Sequence, residues 1–273
     1  MGRRLSLLFL LAGLAVQASA QKKLPRSHGE NDLAAGKMPL RAGNRSFKPP
    51  DPANIPDGPL GDSIRFGLQI FTATPQYAPA YVGNLLSCSD CHLQDGTAAY
   101  ASPLAGVPGL FPMYKARAGR VITFEDRIQE CFTRSENGRP LPPSGPQLVA
   151  IVAYIQWLSQ GQPDGRALPG RGLVKLPELQ GDPANGARIY AQKCAVCHQA
   201  DGGGVPPAVP PLWGPNSFND GAGMSHVAQM AAFVQHNMPQ NNPGTLTPQQ
   251  AFDVAAYVDG KPRPKFNPRY ATY

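Results

Sequence analysis

Two short segments, Cys88-Ser-Asp-Cys91-His92 and Cys194-Ala-Val-Cys197-His198, constrain the fold of this chain more than any other feature. Both read C-x-x-C-H, the attachment signature of c-type haem. The chemistry dictates the spacing: two thiols add across the two vinyl groups of a porphyrin, and the next residue places its imidazole under the iron. One C-x-x-C alone would suit a zinc or redox pair equally well. Two copies, each followed by histidine, call for two covalently bound haem c groups, held by Cys88, Cys91, Cys194 and Cys197, with His92 and His198 on the irons. Haem also answers a problem of composition. The chain has 29 Gly and 31 Pro, is 42% hydrophobic, and shows little strand-like alternation. Its apolar core is thin for its length, and a macrocycle in each half supplies the missing interior.

The flanks of the two motifs repeat. Gly61 to Phe71 precedes the first; Asp182-Pro183 opens a helix before the second, with Asp at the N-cap and Pro at the first helical position. After each motif comes a Gly/Pro-rich stretch and then a closing helix. Ser144-x-x-Gln147 leads into Leu148, Ile151, Tyr154, Ile155 and Leu158; Thr247-Pro248-x-Gln250 leads into Phe252, Val254, Ala255 and Val258. Both openings read as capping boxes and both interiors have helical spacing. The expected fold is mainly α. It resembles two tandem class I cytochrome c domains, residues 58–160 and 179–260, with short helices and long Gly/Pro loops around covalent haems. A Gly/Pro/Arg-rich linker spans residues 161–178.

The N-terminus, MGRRLSLLFLLAGLAVQASA, has a basic start, an apolar run and a small-x-small end. It reads as a signal peptide over residues 1–20, cleaved after Ala20, which places the mature chain in the periplasm. Residues 21–57 read as an extended arm and residues 261–273 as a basic tail. No later segment is apolar enough to cross a bilayer. The net charge of +7 suits an anionic substrate or an acidic partner. Nucleic acid is excluded as a partner by export and by the lack of basic-aromatic repeats.

A six-coordinate iron needs a second axial ligand. For the second haem, Met238 precedes a proline just ahead of the closing helix and is the expected donor, with His236 as the alternative; Met224 and Met230 read as packing residues. Between His92 and the first closing helix there is no histidine. Only Met113, in an apolar run that reads as packing, and Cys131 offer sulfur. Thr123 can cap a helix carrying Cys131, with Glu125 and Asp126 in its first turn and Asn137-Gly138 at its end. Phe124, Ile128 and Phe132 form its apolar stripe; Arg127, Cys131 and Ser135 form a polar stripe beside it. A packed free thiol or an intermolecular disulfide are the plainer roles for Cys131. A thiolate on the first iron is the sharper one, since neighbouring positive charge and a metal both favour it. Lys115, Arg120 and Arg134 read as a solvated basic face.

Gly83-Asn84-Leu85-Leu86-Ser87-Cys88, Ala101-Ser102-Pro103, Phe111-Pro112-Met113-Tyr114, Arg117-Ala118-Gly119-Arg120 and the run from Glu125 to Phe132 together resemble the dihaem thiosulfate dehydrogenases. That family is grouped with the catalytic cytochrome of the sulfur-oxidation (Sox) system. The resemblance implies an oxidoreductase that couples two thiosulfates into tetrathionate, reversibly, and passes electrons from a His/Cys haem to a His/Met haem and on to an external cytochrome c, soluble or membrane-attached. It implies His92 and Cys131 on the first iron, His198 and Met238 on the second, and Arg117, Arg127 and Ser135 at the substrate. Some members place an alternate lysine ligand just before the second methionine; Asn237 stands there in this chain, which weakens the case for a ligand switch. Two other readings are a non-catalytic dihaem electron carrier and a Sox-type cytochrome that conjugates thiosulfate to a carrier cysteine.

Overall fold

The computed structural model describes Gly2, residues 48–162 and residues 168–273. The expected signal peptide, most of the arm at 21–57 and the middle of the linker lie outside the described residues. Nine helical segments fall in two groups among the described residues. The first group is α1 (Pro59–Thr72), the single turns α2 (Thr74–Tyr77) and α3 (Leu93–Gly96), α4 (Phe124–Glu130) and α5 (Pro146–Leu158). The second is α6 (Pro183–Lys193), the turn α7 (Ala195–His198), α8 (Val227–Asn237) and α9 (Pro248–Asp259). One small antiparallel hairpin, β1 (Met113–Lys115) against β2 (Arg120–Ile122), precedes α4; Met113 faces Ile122 in its register.

Each group is organised by one helix crossing, α1 on α5 and α6 on α9. Both crossings are made possible by a glycine. A Cβ on Gly67 would lie 2.0 Å from the Ala150 carbonyl oxygen, and a Cβ on Gly186 would lie 2.0 Å from that of Asp253. The helix axes therefore approach closely enough for Ile64, Phe71, Ile151 and Tyr154 to pack as one core. Ile189, Tyr190, Phe252 and Val258 do the same in the second half. Gly186→Ala should lower stability by about 3 kcal/mol, the upper end of overpacking costs, because the clash is with backbone and not with a side-chain tip. Thermal unfolding measures it; an unchanged midpoint would show that the crossing relaxes freely.

The caps follow the sequence except at one helix. Asp182 Oδ1 accepts from Ala184 N at 2.8 Å and Pro183 occupies the first turn of α6. Thr247 and Gln250 form a reciprocal capping box on α9. The box expected at Ser144 and Gln147 does not form: Gly145 is the N-cap of α5, without a side-chain bond, and Pro146 starts the helix. The fixed φ of Pro146 suits it to the first helical position and so sets the N-cap at Gly145, one residue beyond Ser144.

The halves are joined by a buried polar seam. Asn84 Nδ2 donates to Ser135 O at 2.7 Å and to Ser217 O at 3.2 Å; Asn219 Nδ2 donates to Thr133 O at 2.9 Å. Leu93, Ala98 and Ala101 of the first half pack on Phe233 of the second. The basic tail lies against both halves. Phe266 N donates to Asp220 Oδ1 at 2.7 Å, and Arg120 Nε donates to Thr272 O at 2.8 Å.

Candidate functional site

The segment carrying Cys131 starts as the sequence implies. Thr123 Oγ1 accepts from Asp126 N at 3.2 Å, and Asp126 Oδ2 accepts from Thr123 N at 3.0 Å. Phe124, Ile128 and Phe132 turn inward and are buried. After Glu130 the helix widens into a π turn, Cys131–Ser135, a deviation frequent at functional sites. This turn breaks the four-residue spacing on which the Arg127–Cys131–Ser135 stripe rested. Arg127 and Cys131 stay together, with Arg127 Nη1 donating to Cys131 Sγ at 3.1 Å. Ser135 does not line the slot that Cys131 faces; its carbonyl belongs to the Asn84 seam.

That slot has a volume of 190 Å³ and is lined by Cys88, His92, Arg127, Cys131, Phe71 and Arg171, among others. It brings the first C-x-x-C-H imidazole and the solitary thiol to one space. His92 Nδ1 faces Ser102 O at 2.8 Å, which leaves Nε2 for a metal. Burial drives the His92 pKa down to about 4, partly opposed by the Ser102 bond, so the ring is neutral and able to ligate at pH 7. The Arg127 guanidinium is held above its usual range, chiefly by the negative form of Cys131 beside it and then by Glu130.

Glu130 is the residue the sequence reading missed. Its side chain is 0% exposed, and it receives Arg117 Nη2 at 2.8 Å and Arg127 Nη1 at 3.4 Å. The i,i+3 spacing of Arg127 and Glu130 was the available signal. Arg117 reaches the region through this carboxylate and does not line the slot itself. Two packing expectations are corrected. Met113 is 40% exposed on the hairpin and is absent from the slot wall, because β1 turns it outward. Arg134 is buried, not solvated: its guanidinium lies 4.0 Å over the Phe266 ring and donates to Gly221 O at 3.3 Å.

The second site is a cavity of about 770 Å³ lined by Cys194, Cys197, His198, Met224, Met230 and Met238, with Cys91 reaching it from the first half. His198 Nδ1 faces Pro210 O at 3.0 Å, repeating the arrangement at His92. Met238 immediately follows α8 and bonds its N–H to Val234 O at 2.9 Å. Met230 is buried and lines the same cavity as Met238, while His236 packs its ring edge on Tyr100 at 4.6 Å. An apolar cavity with thiols, one imidazole and thioethers on its walls fits a haem, and the imidazole and thiol of the first slot fit an iron. None of the five cysteines is paired.

Comparison with known proteins agrees with this layout. A family model described as the SoxA/TsdA cytochrome c domain matches residues 77–163, and a cytochrome c model matches residues 183–260. The chain is 45% identical over 227 residues to a thiosulfate dehydrogenase of Allochromatium vinosum, covering 80% of this chain and 84% of that protein. It is 41% identical over 230 residues to one of Stutzerimonas stutzeri, covering 82% of this chain and 75% of that protein. It is similar to the solved thiosulfate dehydrogenase (TsdBA) of Marichromatium purpuratum in its as-isolated form, with a TM-score of 0.77 and 41% identity. That match covers 82% of this chain and 50% of the longer chain. The expected pair of tandem, mostly helical cytochrome c domains is therefore found, and such domains carry haem c.

Proposed function

Because the chain belongs to the thiosulfate dehydrogenase family, we propose that it oxidises two thiosulfate ions to tetrathionate at the slot between His92 and Cys131. The observation that carries this reading is the 3.1 Å bond from Arg127 to the Cys131 sulfur in a slot shared with His92. An electron carrier has no use for a thiol held by a guanidinium beside its first haem; an enzyme for a sulfur dianion has.

Cys88 and Cys91 would hold the first haem, with His92 and Cys131 offering donors to its iron; Cys194 and Cys197 would hold the second, with His198 and Met238 as donors. Bound haem supplies one-electron redox chemistry at each site. The protein residues supply the rest. Arg127 presents a planar, permanently charged fork to an oxyanion, which suits the sulfonate end of thiosulfate. Arg117, tied to Arg127 through Glu130, keeps that charge in place. Fixed positive charge offsets the repulsion between two dianions as they approach.

Cys131 acts as nucleophile. Its thiolate joins the outer sulfur of one thiosulfate with loss of two electrons, giving Cys131–S–S–SO3⁻. The outer sulfur of a second thiosulfate then attacks the sulfur bonded to the SO3 group, forming tetrathionate and returning the thiolate. No proton is exchanged in either step, and Arg127 stabilises the thiolate before and after. Electrons leave through the second domain to an external cytochrome c. Among the described residues no helix is long and apolar enough to cross a membrane. A periplasmic location, from the leader-like N-terminus, completes the reading. The test is a thiosulfate-dependent ferricyanide reduction with product analysis: tetrathionate should form at one mole per two electrons. Activity that requires a cysteine-bearing carrier protein would favour the Sox-type reaction instead.

A further inference from the structure

Arg171 lies in the segment that joins the two halves, far in sequence from both motifs. Its Nη1 donates to Pro103 O at 2.7 Å and its Nη2 donates to Ala105 O. The neighbouring backbone adds two more ties: Tyr100 N donates to Gly170 O at 2.7 Å and Ser102 N to Gly172 O at 2.9 Å. All four bonds converge on the loop over residues 100–105. That loop presents Ser102 O, the acceptor 2.8 Å from His92 Nδ1. Arg171 also lines the slot that contains His92 and Cys131, and it is not among the residues lining the second cavity.

We propose that Arg171 is a positioning residue for the first haem site: it pins the loop that orients His92 and lends the slot a fixed positive charge. This rests on the reading of His92 and Cys131 as the first axial pair. The physical reasons are two. The hydrogen bond on the far nitrogen of a ligating imidazole sets its orientation and basicity, so the partner carbonyl must be held still. A half-buried guanidinium cannot lose its proton, and its field favours the electron-rich, reduced form of whatever redox centre the slot holds. Two carbonyls gripped by one planar fork give the position as well as the charge.

The experiment uses the full chain carrying both haems, with each haem's reduction followed separately in a potentiometric titration by optical and electron paramagnetic resonance spectra. Arg171→Gln should shift the first haem toward the oxidised form by roughly tenfold in its reduction equilibrium, about 59 mV for one electron. The second haem should not move. Arg171→Lys, which keeps the charge but not the two-carbonyl grip, should recover most of that shift. Equal movement of both haems, or no movement of the first, overturns the proposal, as does a lysine variant that falls as far as the glutamine one. If the glutamine variant assembles no first haem, a lysine variant with a near wild-type first-haem potential supports the proposal, and a lysine variant that also fails overturns it. Whether Cys131 ligates iron is read from the wild-type spectrum alone, so failure of that premise is distinguishable from failure of this inference.

Discussion

Cys131→Ala should reduce thiosulfate oxidation by about 10³-fold or more, the scale seen when a nucleophile that acts as one unit with its neighbours is removed. The chain should still fold and carry haem. Cys131 is only partly buried, whereas its neighbours Phe124, Ile128 and Phe132 form the inward stripe. Loss of one sulfur from the slot wall removes little packing, and the attachment cysteines are untouched. Arg127 would lose its 3.1 Å partner but keep Glu130 at 3.4 Å, so its guanidinium stays paired. The first haem's spectrum should lose its thiolate character while the second keeps the methionine–iron charge-transfer band. Steady-state ferricyanide assays beside spectra of both haems decide the matter. Full activity in the alanine variant would remove Cys131 from the chemistry and leave a dihaem electron carrier.

The sequence carried the parts of this molecule that depend on short spacing. The two C-x-x-C-H runs, the Asp182 and Thr123 caps and the Thr247/Gln250 box each lie within five residues, and helix geometry fixes what such residues meet. The Arg127–Cys131 contact was legible for the same reason, one helical turn apart. Ser135 was misplaced because the π turn adds a residue to the winding just where the stripe was extrapolated, and nothing in its composition announces that. Glu130 stood in plain view, but its burial depends on Arg117, thirteen positions earlier on the hairpin turn. Arg171 and Arg134 were read as linker and solvated charge. Their partners, Pro103 and Ala105 for one, Phe266 and Gly221 for the other, are set by tertiary packing that no local period encodes.

Glu130→Ala should lower both stability and activity, and the two effects have separate origins. The carboxylate is fully buried and joins two arginines whose side chains are 35% and 36% exposed. Removing one partner of a buried ion pair costs about 3–5 kcal/mol when the other charge is stranded. Here the arginines can reach water in part, so the lower end, about 3 kcal/mol, is expected in thermal or denaturant unfolding. The effect on activity involves two opposed terms. Deleting a negative charge makes the slot more attractive to a dianion, but the two arginines it frees are about a third exposed and can turn to water, so the gain stays on the order of 1 kcal/mol. Releasing Arg127 from its place beside Cys131 removes an oriented, charged hydrogen bond, worth about 1.5–3 kcal/mol. The second term wins, so kcat/KM should fall on the order of tenfold, with KM changing less than kcat. A double-mutant cycle identifies the cause. If Glu130 acts by aiming Arg127, then Arg127→Ala with Glu130→Ala should be no slower than Arg127→Ala alone. Additive losses in that cycle would mean that Glu130 influences turnover by a route that does not pass through Arg127.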